Sequence, residues 1–540
     1  MRLTATILIF FCLIHFTAQS QTFKPPYLVK KGNTAQLMVQ NKPFLILGGE
    51  LGNSTASSLE YMRPTWARFK AMNLNTILTP VYWELMEPTE GKFDFTLVDS
   101  VINTSRKNNL KVILLWFGSW KNSMSCYVPA WVKTNQNRFP RAEDRTGKGL
   151  EILSAFNKNN LDADIKAFTT LMKHIKAIDK AHTVIMIQVE NEIGMLTEAR
   201  EYTDDANTAF NSDVPRELIN YLSEKKDSIV PELREHWSKN GFKTTGNWEA
   251  VFGKSLATDE LFQAWYYAKF ANAVTAAGKK EYPLPMFVNA ALNHRNVLPG
   301  QYPSAGPLPH IMDLWQVAAP DLDMLSPDFY NPNFKYYNDL YTRRNNPLFI
   351  PEIRFEPSDA AKVFYAFGHY HAMGFSPFSI ESTKTPEEEP LGKSYSILAQ
   401  LSPEIIKYPG SDKMEGVLLD TQTKRQEIIL GDYKITASHD YTLGWSPDAA
   451  KPDWPISGAI IIREGENDFI IAGTGVVFTF SVNGSVNSTA GILQADEGKY
   501  VNGKWQPGRR MNGDQDHQGR HIRIPVGEWN IQRVKLYQYK

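Results

Sequence analysis

The segment Val184-Ile185-Met186-Ile187-Gln188-Val189 is an almost unbroken apolar run, rich in β-branched residues, that breaks into Glu190-Asn191-Glu192. A strand covered on both faces reads this way, because neither side of its pleat meets water. The first carboxylates beyond it therefore belong at the strand's carboxyl end, where solvent or a ligand meets their charge. Barrel enzymes keep their chemistry at that end. Pro347-Leu348-Phe349-Ile350-Pro351-Glu352 has the same form and delivers a second glutamate from a short apolar strand. Two strand-end carboxylates make a candidate pair of acid and nucleophile. The plainer alternative, that each caps a strand or pairs with an arginine, stays open at this point.

Around those two runs the pattern alternates. Strands are predicted at 44–47, 76–81, 112–117, 184–192, 286–289, 322–330, 348–352 and 373–378, with helices at 63–73, 97–108, 161–180, 261–277 and 360–370 between them. Alternation of this kind implies parallel strands with crossover helices, and eight such strands close a barrel. The polar, charged stretch 197–258 reads as a strand-to-helix insertion over the active-site face, where loops set specificity. Past Glu381 the texture changes. An acidic, proline-bounded linker at 383–390 and a helix at 395–408 lead into short alternating strands at 416–419, 426–430, 433–438, 458–463, 468–472, 476–482, 521–525 and 534–539, with Gly, Asn and Asp turns between them. That spacing belongs to an all-β sandwich. The expected fold class is thus α/β: a (β/α)8 TIM barrel over 21–382, followed by a sandwich-like β domain over 383–540.

Lys and Arg together number 58, as do Asp and Glu, so no basic field argues for nucleic acid or an anionic membrane surface. Thirteen tryptophans, 23 tyrosines and 29 phenylalanines suit stacking on the apolar faces of sugar rings, although most such residues are core in any protein. The apolar stretch 7–16 behind Arg2, followed by Thr17-Ala18-Gln19-Ser20, reads as a secretory signal peptide over 1–20. It is too short to span a bilayer, so a periplasmic or extracellular address is expected. The mature chain keeps only Cys126, which excludes a disulfide within it.

Several motifs carry a likeness to a known family. Gln188-Val189-Glu190-Asn191-Glu192-Ile193-Gly194 resembles the acid/base segment of glycoside hydrolase family 35, the β-galactosidases. Tyr82-Trp83-Glu84-Leu85-Met86-Glu87-Pro88 with Gly91-Lys92-Phe93-Asp94-Phe95 is similar to a second motif of that family. The likeness spans about residues 40–381, and the remainder resembles the β-rich domain of a bacterial branch. It implies an acid/base glutamate on the fourth strand, Glu192, and a nucleophile on the seventh, Glu352. One departure stands out: where animal and fungal members carry a Cys-Ala-Glu-Trp segment whose glutamate binds galactose, this chain has Phe117-Gly118-Ser119-Trp120. Ser119, Trp120 or Lys121 is then expected to replace that contact, or Glu50 to reach in from the first strand.

What the resemblance implies is a secreted, retaining exo-β-galactosidase acting on oligo- or polysaccharide side chains without a cofactor or metal. In that reading Asn191 bonds the hydroxyl beside the anomeric carbon, Tyr330 steadies Glu352, Tyr82 and Glu84 meet the remote hydroxyls, and Trp116 and Trp120 form a stacking wall. Each has a blander counterpart, a turn residue for Asn191 and core packing for the aromatics. Glu190, two residues before Glu192, is expected on the same side of the strand but structural and paired. Another retaining β-glycosidase of the same clan, or a non-catalytic glycan-binding barrel, remains compatible with the sequence.

Overall fold

The computed structural model describes residues 23–293, 296–485 and 487–540. The expected signal peptide lies outside the described residues. A three-stranded antiparallel sheet (Tyr27–Lys31, Thr34–Val39, Lys42–Pro43) leads into a closed barrel of eight parallel strands. These are β1 (Ile46–Glu50), β2 (Thr76–Tyr82), β3 (Lys111–Lys121), β4 (Val184–Asn191), β5 (Met286–Ala291), β6 (Met324–Phe329), β7 (Ile350–Ile353) and β8 (Gly374–Pro377). All residues of β2 and β4 are buried, as their apolar runs require. The barrel closes where β8 pairs with β1, Gly374 facing Ile46 and Phe375 facing Leu47.

The strand β3 runs four residues further than its apolar pattern indicates, because its last part is not ordinary strand. The pairing with β4 skips from Trp116↔Val189 to Lys121↔Asn191, so the backbone bulges between them. Gly118 allows the bulge: a Cβ there would lie 2.2 Å from Nε1 of Trp116. The consequence is that Lys121 and Asn122 arrive beside the end of β4.

The stretch 197–258 is a folded helical unit instead of a loop. It contains helices Asp204–Asn211, Arg216–Lys225, Pro231–Lys239 and Trp248–Phe252, which bury Leu218, Leu222, Trp237 and Trp248. Its polar composition reflects short amphipathic helices with narrow apolar faces. The buried Asp313 ties this unit to the barrel by accepting the Tyr221 hydroxyl (2.6 Å), the Val230 N–H (2.7 Å) and Arg344 Nε (3.0 Å).

The helix after the linker starts at Pro390, a residue suited to a first helical turn, and ends at Ile405. It touches both halves of the chain. The Tyr395 hydroxyl donates to the carbonyls of Gly48 and Phe375 in the barrel, while Ser394 Oγ accepts the Trp529 indole N–H from the β-rich part. Beyond it lie a six-stranded and a four-stranded sheet with a shared apolar core. The hairpin Thr489–Val501 and Lys504–Arg510 was not expected: with Gly491, Gly498 and many charged residues it has poor strand propensity, and pairing with Asn530–Tyr539 holds it. Two sandwich strands lie directly on the barrel helix Asp359–Gly368. A Cβ on Gly416 would sit 2.8 Å from the Tyr365 Cα, and one on Gly458 would sit 2.5 Å from the Ala361 carbonyl oxygen.

Candidate active site

The carboxyl ends of β1, β3, β4, β6 and β7 converge. Glu192, Asp328 and Glu352 each bring an oxygen within 4.8 Å of the others. Glu50 faces Glu352 from β1, and its two carboxylate oxygens are buried with no hydrogen-bond donor. At Glu190 and Glu192 the backbone turns left-handed, with φ of +60° and +45°. Such a backbone is costly for residues with a Cβ and persists only when neighbours hold it. Here the Glu192 N–H donates to Asn289 Oδ1 (3.0 Å), and the Glu192 carbonyl accepts the Ser123 N–H (3.1 Å). Asn289 in turn donates to Asp328 Oδ2 (2.6 Å), so one amide fixes the Glu192 backbone and the Asp328 carboxyl together.

Four carboxyl groups this close cannot all ionise, since burial and like charge both favour the protonated form. Burial is the main cause of the upward pKa shift of each. Coulombic repulsion from Glu352 adds to it for Glu50 and Asp328, both pushed well above the usual range. Glu352 is pushed up to about 7, by burial first and by Glu192 second. Glu192 is raised by burial and held back by Lys121, Asp328 and Asn122. The cation among them is Lys121, itself only 4% exposed, with Nζ 5.1 Å from the centre of the Phe117 ring. Burial and like charge thus favour protonation most at Glu50 and Asp328, the two most enclosed members. Two donors favour ionised forms: Asn122 Nδ2 bonds Glu192, and the Tyr330 hydroxyl bonds Glu352 Oε1, leaving Oε2 without a partner.

Asn191 is fully buried at the end of β4, and both its amide oxygen and its amide nitrogen lack partners, the state of a group kept for a ligand. Tyr82 lies at the end of β2 with its ring beside Phe117 and Tyr127 and its hydroxyl unpartnered. Three expectations need correction. Trp116 points outward, donates to Asp164 Oδ1 (2.8 Å) and lies against Phe168 and Trp83, so it is a strand-to-helix packing residue. Trp120 is fully buried, with its ring edge-on to Tyr267 (5.3 Å) and Phe270 (4.7 Å), which leaves no face for a sugar. Glu84 is the second residue of the short helix Trp83–Met86 after β2, and its carboxylate, 39% exposed, faces Lys133 at 4.0 Å.

Glu190 is paired as expected but on a different side from the one alternation indicates, because its left-handed backbone breaks the period of two. Its carboxylate accepts the Trp120 N–H (2.8 Å) and faces Asp164, which also takes the Ser119 hydroxyl. Ser119 and Trp120 thus serve the outer layer. Of the groups expected to replace the missing family glutamate, Lys121 and Glu50 are the ones inside the carboxylate cluster. Asp328, Asn289 and Asn122 were missed, although Asn289 also follows an apolar strand run, Met286-Phe287-Val288, the signal that singles out Glu192.

Paired glutamates at the ends of β4 and β7 of a closed parallel barrel suit a glycoside hydrolase, the class to which the sequence match assigns the chain. Residues 58–332, just over half of the chain, match a family model described as beta-galactosidase, glycoside hydrolase family 42. The chain belongs to that family. Residues 391–523 match a domain of unknown function. Among curated proteins the chain is 28% identical over 177 residues to a beta-galactosidase of Xanthomonas manihotis, covering 32% of this chain and 27% of that protein. It is 29% identical over 175 residues to human beta-galactosidase-1-like protein 3, covering 30% of this chain and 24% of that one. The matched region thus spans about a quarter of the length of these relatives. Among solved structures, a beta-galactosidase from the psychrophilic Marinomonas ef1 aligns with a TM-score of 0.47 at 14% identity, covering 68% of this chain and 63% of that one. The catalytic domain of a beta-amylase from Paenibacillus polymyxa aligns with a TM-score of 0.46 at 15% identity, covering 66% and 98%.

Proposed function

We propose that the protein is an exported, retaining exo-β-galactosidase that removes terminal galactose from glycans by double displacement. The observation that carries this reading is the approach of Glu192 and Glu352 within 4.8 Å. Retaining glycosidases hold their two carboxyl groups about 5–5.5 Å apart, and inverting ones about 6.5–9.5 Å, to leave room for a water. In the first step a carboxylate oxygen of Glu352 attacks the anomeric carbon. The glycosidic C–O bond breaks as the ester forms, and the leaving oxygen takes the proton from Glu192. In the second, Glu192 removes a proton from water, the water oxygen bonds the anomeric carbon, and Glu352 leaves as carboxylate. Asn191 serves the hydroxyl beside that carbon.

The depth of the site supports entry of a chain end: Glu50 is 1% exposed and Glu192 and Glu352 are 4% exposed. The motifs at 82–95 and 188–194, which resemble those of family 35, ask for the same two glutamates. Export rests on the signal-like residues 1–20. The test is turnover of a panel of aryl β-glycosides, with the anomer first released read by proton NMR. β-Galactose as first product, lost in Glu352→Gln with the fold intact, is expected. Preference for another β-glycoside selects a different sugar within the clan, α-galactose as first product overturns retention, and binding without hydrolysis makes the chain a glycan-binding barrel.

A further inference from the structure

Glu192 is followed by Ile193-Gly194-Met195, and a second segment, from the connection after β5, lies on this one without a gap. A Cβ on Gly306 would sit 2.5 Å from the Ile193 carbonyl oxygen, and one on Gly194 would sit 2.9 Å from the Pro303 Cβ. Met195 and Ser304 exchange both backbone hydrogen bonds, at 2.7 and 3.0 Å. The two segments therefore shift together, and whatever fixes 302–310 also fixes the chain directly after Glu192.

The fixing group is a carboxylate that the two-step reaction does not use. Helix Leu256–Glu281 places Glu260, Gln263 and Tyr267 on one face, by their spacings of three and four, and all three are buried. The Tyr267 hydroxyl donates to the Gly194 carbonyl (3.4 Å), and Gln263 Oε1 accepts the Glu201 N–H (2.9 Å) further along the same stretch. Glu260, only 2% exposed, accepts the Tyr302 hydroxyl on both oxygens (2.8 and 2.9 Å), the Ala305 N–H on one (3.1 Å) and His310 Nε2 on the other (2.9 Å). Burial pushes Glu260 up and His310 down, but each is the other's counter-charge, and the net result is a Glu260 below and a His310 above its ordinary range. At Ala305 the backbone is left-handed, with φ of +67°. Such a backbone persists only when its neighbours hold it; here its N–H goes to Glu260 and its carbonyl accepts the Trp315 indole N–H (3.2 Å). Apolar packing alone would keep the two segments in contact without fixing their relative position. Charge-assisted hydrogen bonds are short and directional, and they do fix it.

We propose that Glu260 is a positioning residue for proton donation: through Tyr302, Ala305 and His310 it holds 302–310 against 193–195, and so keeps the Glu192 carboxyl aimed at the leaving oxygen. The assignment rests on the reading of Glu192 as acid/base above. The test compares kcat/KM on methyl β-galactoside, whose leaving oxygen needs the proton, with kcat/KM on dinitrophenyl β-galactoside, whose leaving group departs without it, in the wild type, Glu260→Gln, Tyr302→Phe and Glu192→Ala. Gln keeps the shape of Glu260 but puts an NH2 where one oxygen accepts. Tyr302→Phe removes one hydroxyl and leaves the ring in place, so it folds even if Glu260→Gln does not. The ratio of the first value to the second is expected to fall about tenfold or more in both variants, since a displaced acid loses part of its contribution to the substrate that needs it. A merely structural role lowers the folded fraction, which divides out of the ratio. A ratio within about twofold of wild type in every one of the two that folds, with Glu192→Ala lowering it, overturns the positioning role alone. A ratio that Glu192→Ala also leaves unchanged removes the acid assignment, and the proposal falls with it.

Discussion

Tyr330→Phe removes one hydroxyl and nothing else, which makes it the sharpest probe of how Glu352 is kept ready. That hydroxyl donates to Glu352 Oε1, beside the Glu50 carboxyl, which also bonds Glu352 and lowers its pKa. A hydrogen bond to a charged group contributes about 1.5–3 kcal/mol. Tyr330 is 41% exposed, so water takes part of its place in the variant and the lower end applies, about 1.5 kcal/mol. The bond favours the anion, so losing it raises the pKa of Glu352. At 1.36 kcal/mol per pH unit the rise is about one unit, starting from a value of about 7. Glu352 attacks only as the anion, and the acidic limb of kcat/KM should move up by about one pH unit. At about pH 6, below both limbs, activity falls about tenfold; well above them it falls less. The assay is kcat/KM on an aryl β-galactoside across the pH range. A limb that stays in place while activity drops equally at every pH would mean that Tyr330 acts on the sugar and not on Glu352.

Glu192→Ala should slow substrates with poor leaving groups far more than activated aryl galactosides, since only the former need a proton in the first step, and azide should rescue the activated substrate as a β-galactosyl azide; equal losses on both substrates would remove Glu192 from the acid role. Trp120→Ala should lower stability by about 3–5 kcal/mol, the cost of emptying a fully buried aromatic site, while the folded fraction keeps its kinetics and its inhibition by galactose; denaturant unfolding beside galactose inhibition reads both, and weaker inhibition at unchanged stability would return the ring to the sugar site. Burial and Glu352 push the Asp328 pKa well above the usual range, so Asp328→Asn, a neutral group of the same shape, should leave the limbs of the pH profile in place. A downward shift of the acidic limb, the mark of a removed like charge, would show that Asp328 is ionised beside Glu352.

Much of the architecture was legible in the chain itself. The buried strands of a parallel barrel must be apolar on both faces, so β2, β4 and β7 announce themselves, and the glutamates that end β4 and β7 stand out because nothing in such a strand tolerates an unpaired charge. Other features depended on contacts that no local pattern records. The side on which a residue lies follows from alternation only while the backbone stays extended. The bulge at Gly118 and the left-handed turns at Glu190 and Glu192 break that rule, sending Ser119 and Trp120 outward and bringing Lys121 and Asn122 in. Charge state is non-local as well. Glu50, Asp328 and Glu352 are separated by tens to hundreds of residues, and only closure of the barrel crowds them until burial and repulsion decide which keep their protons. Residue type and period along the chain thus determine that strands form and where their carboxylates end; the tertiary structure decides which of those groups meet, because Coulomb forces and desolvation act through space and not along the sequence.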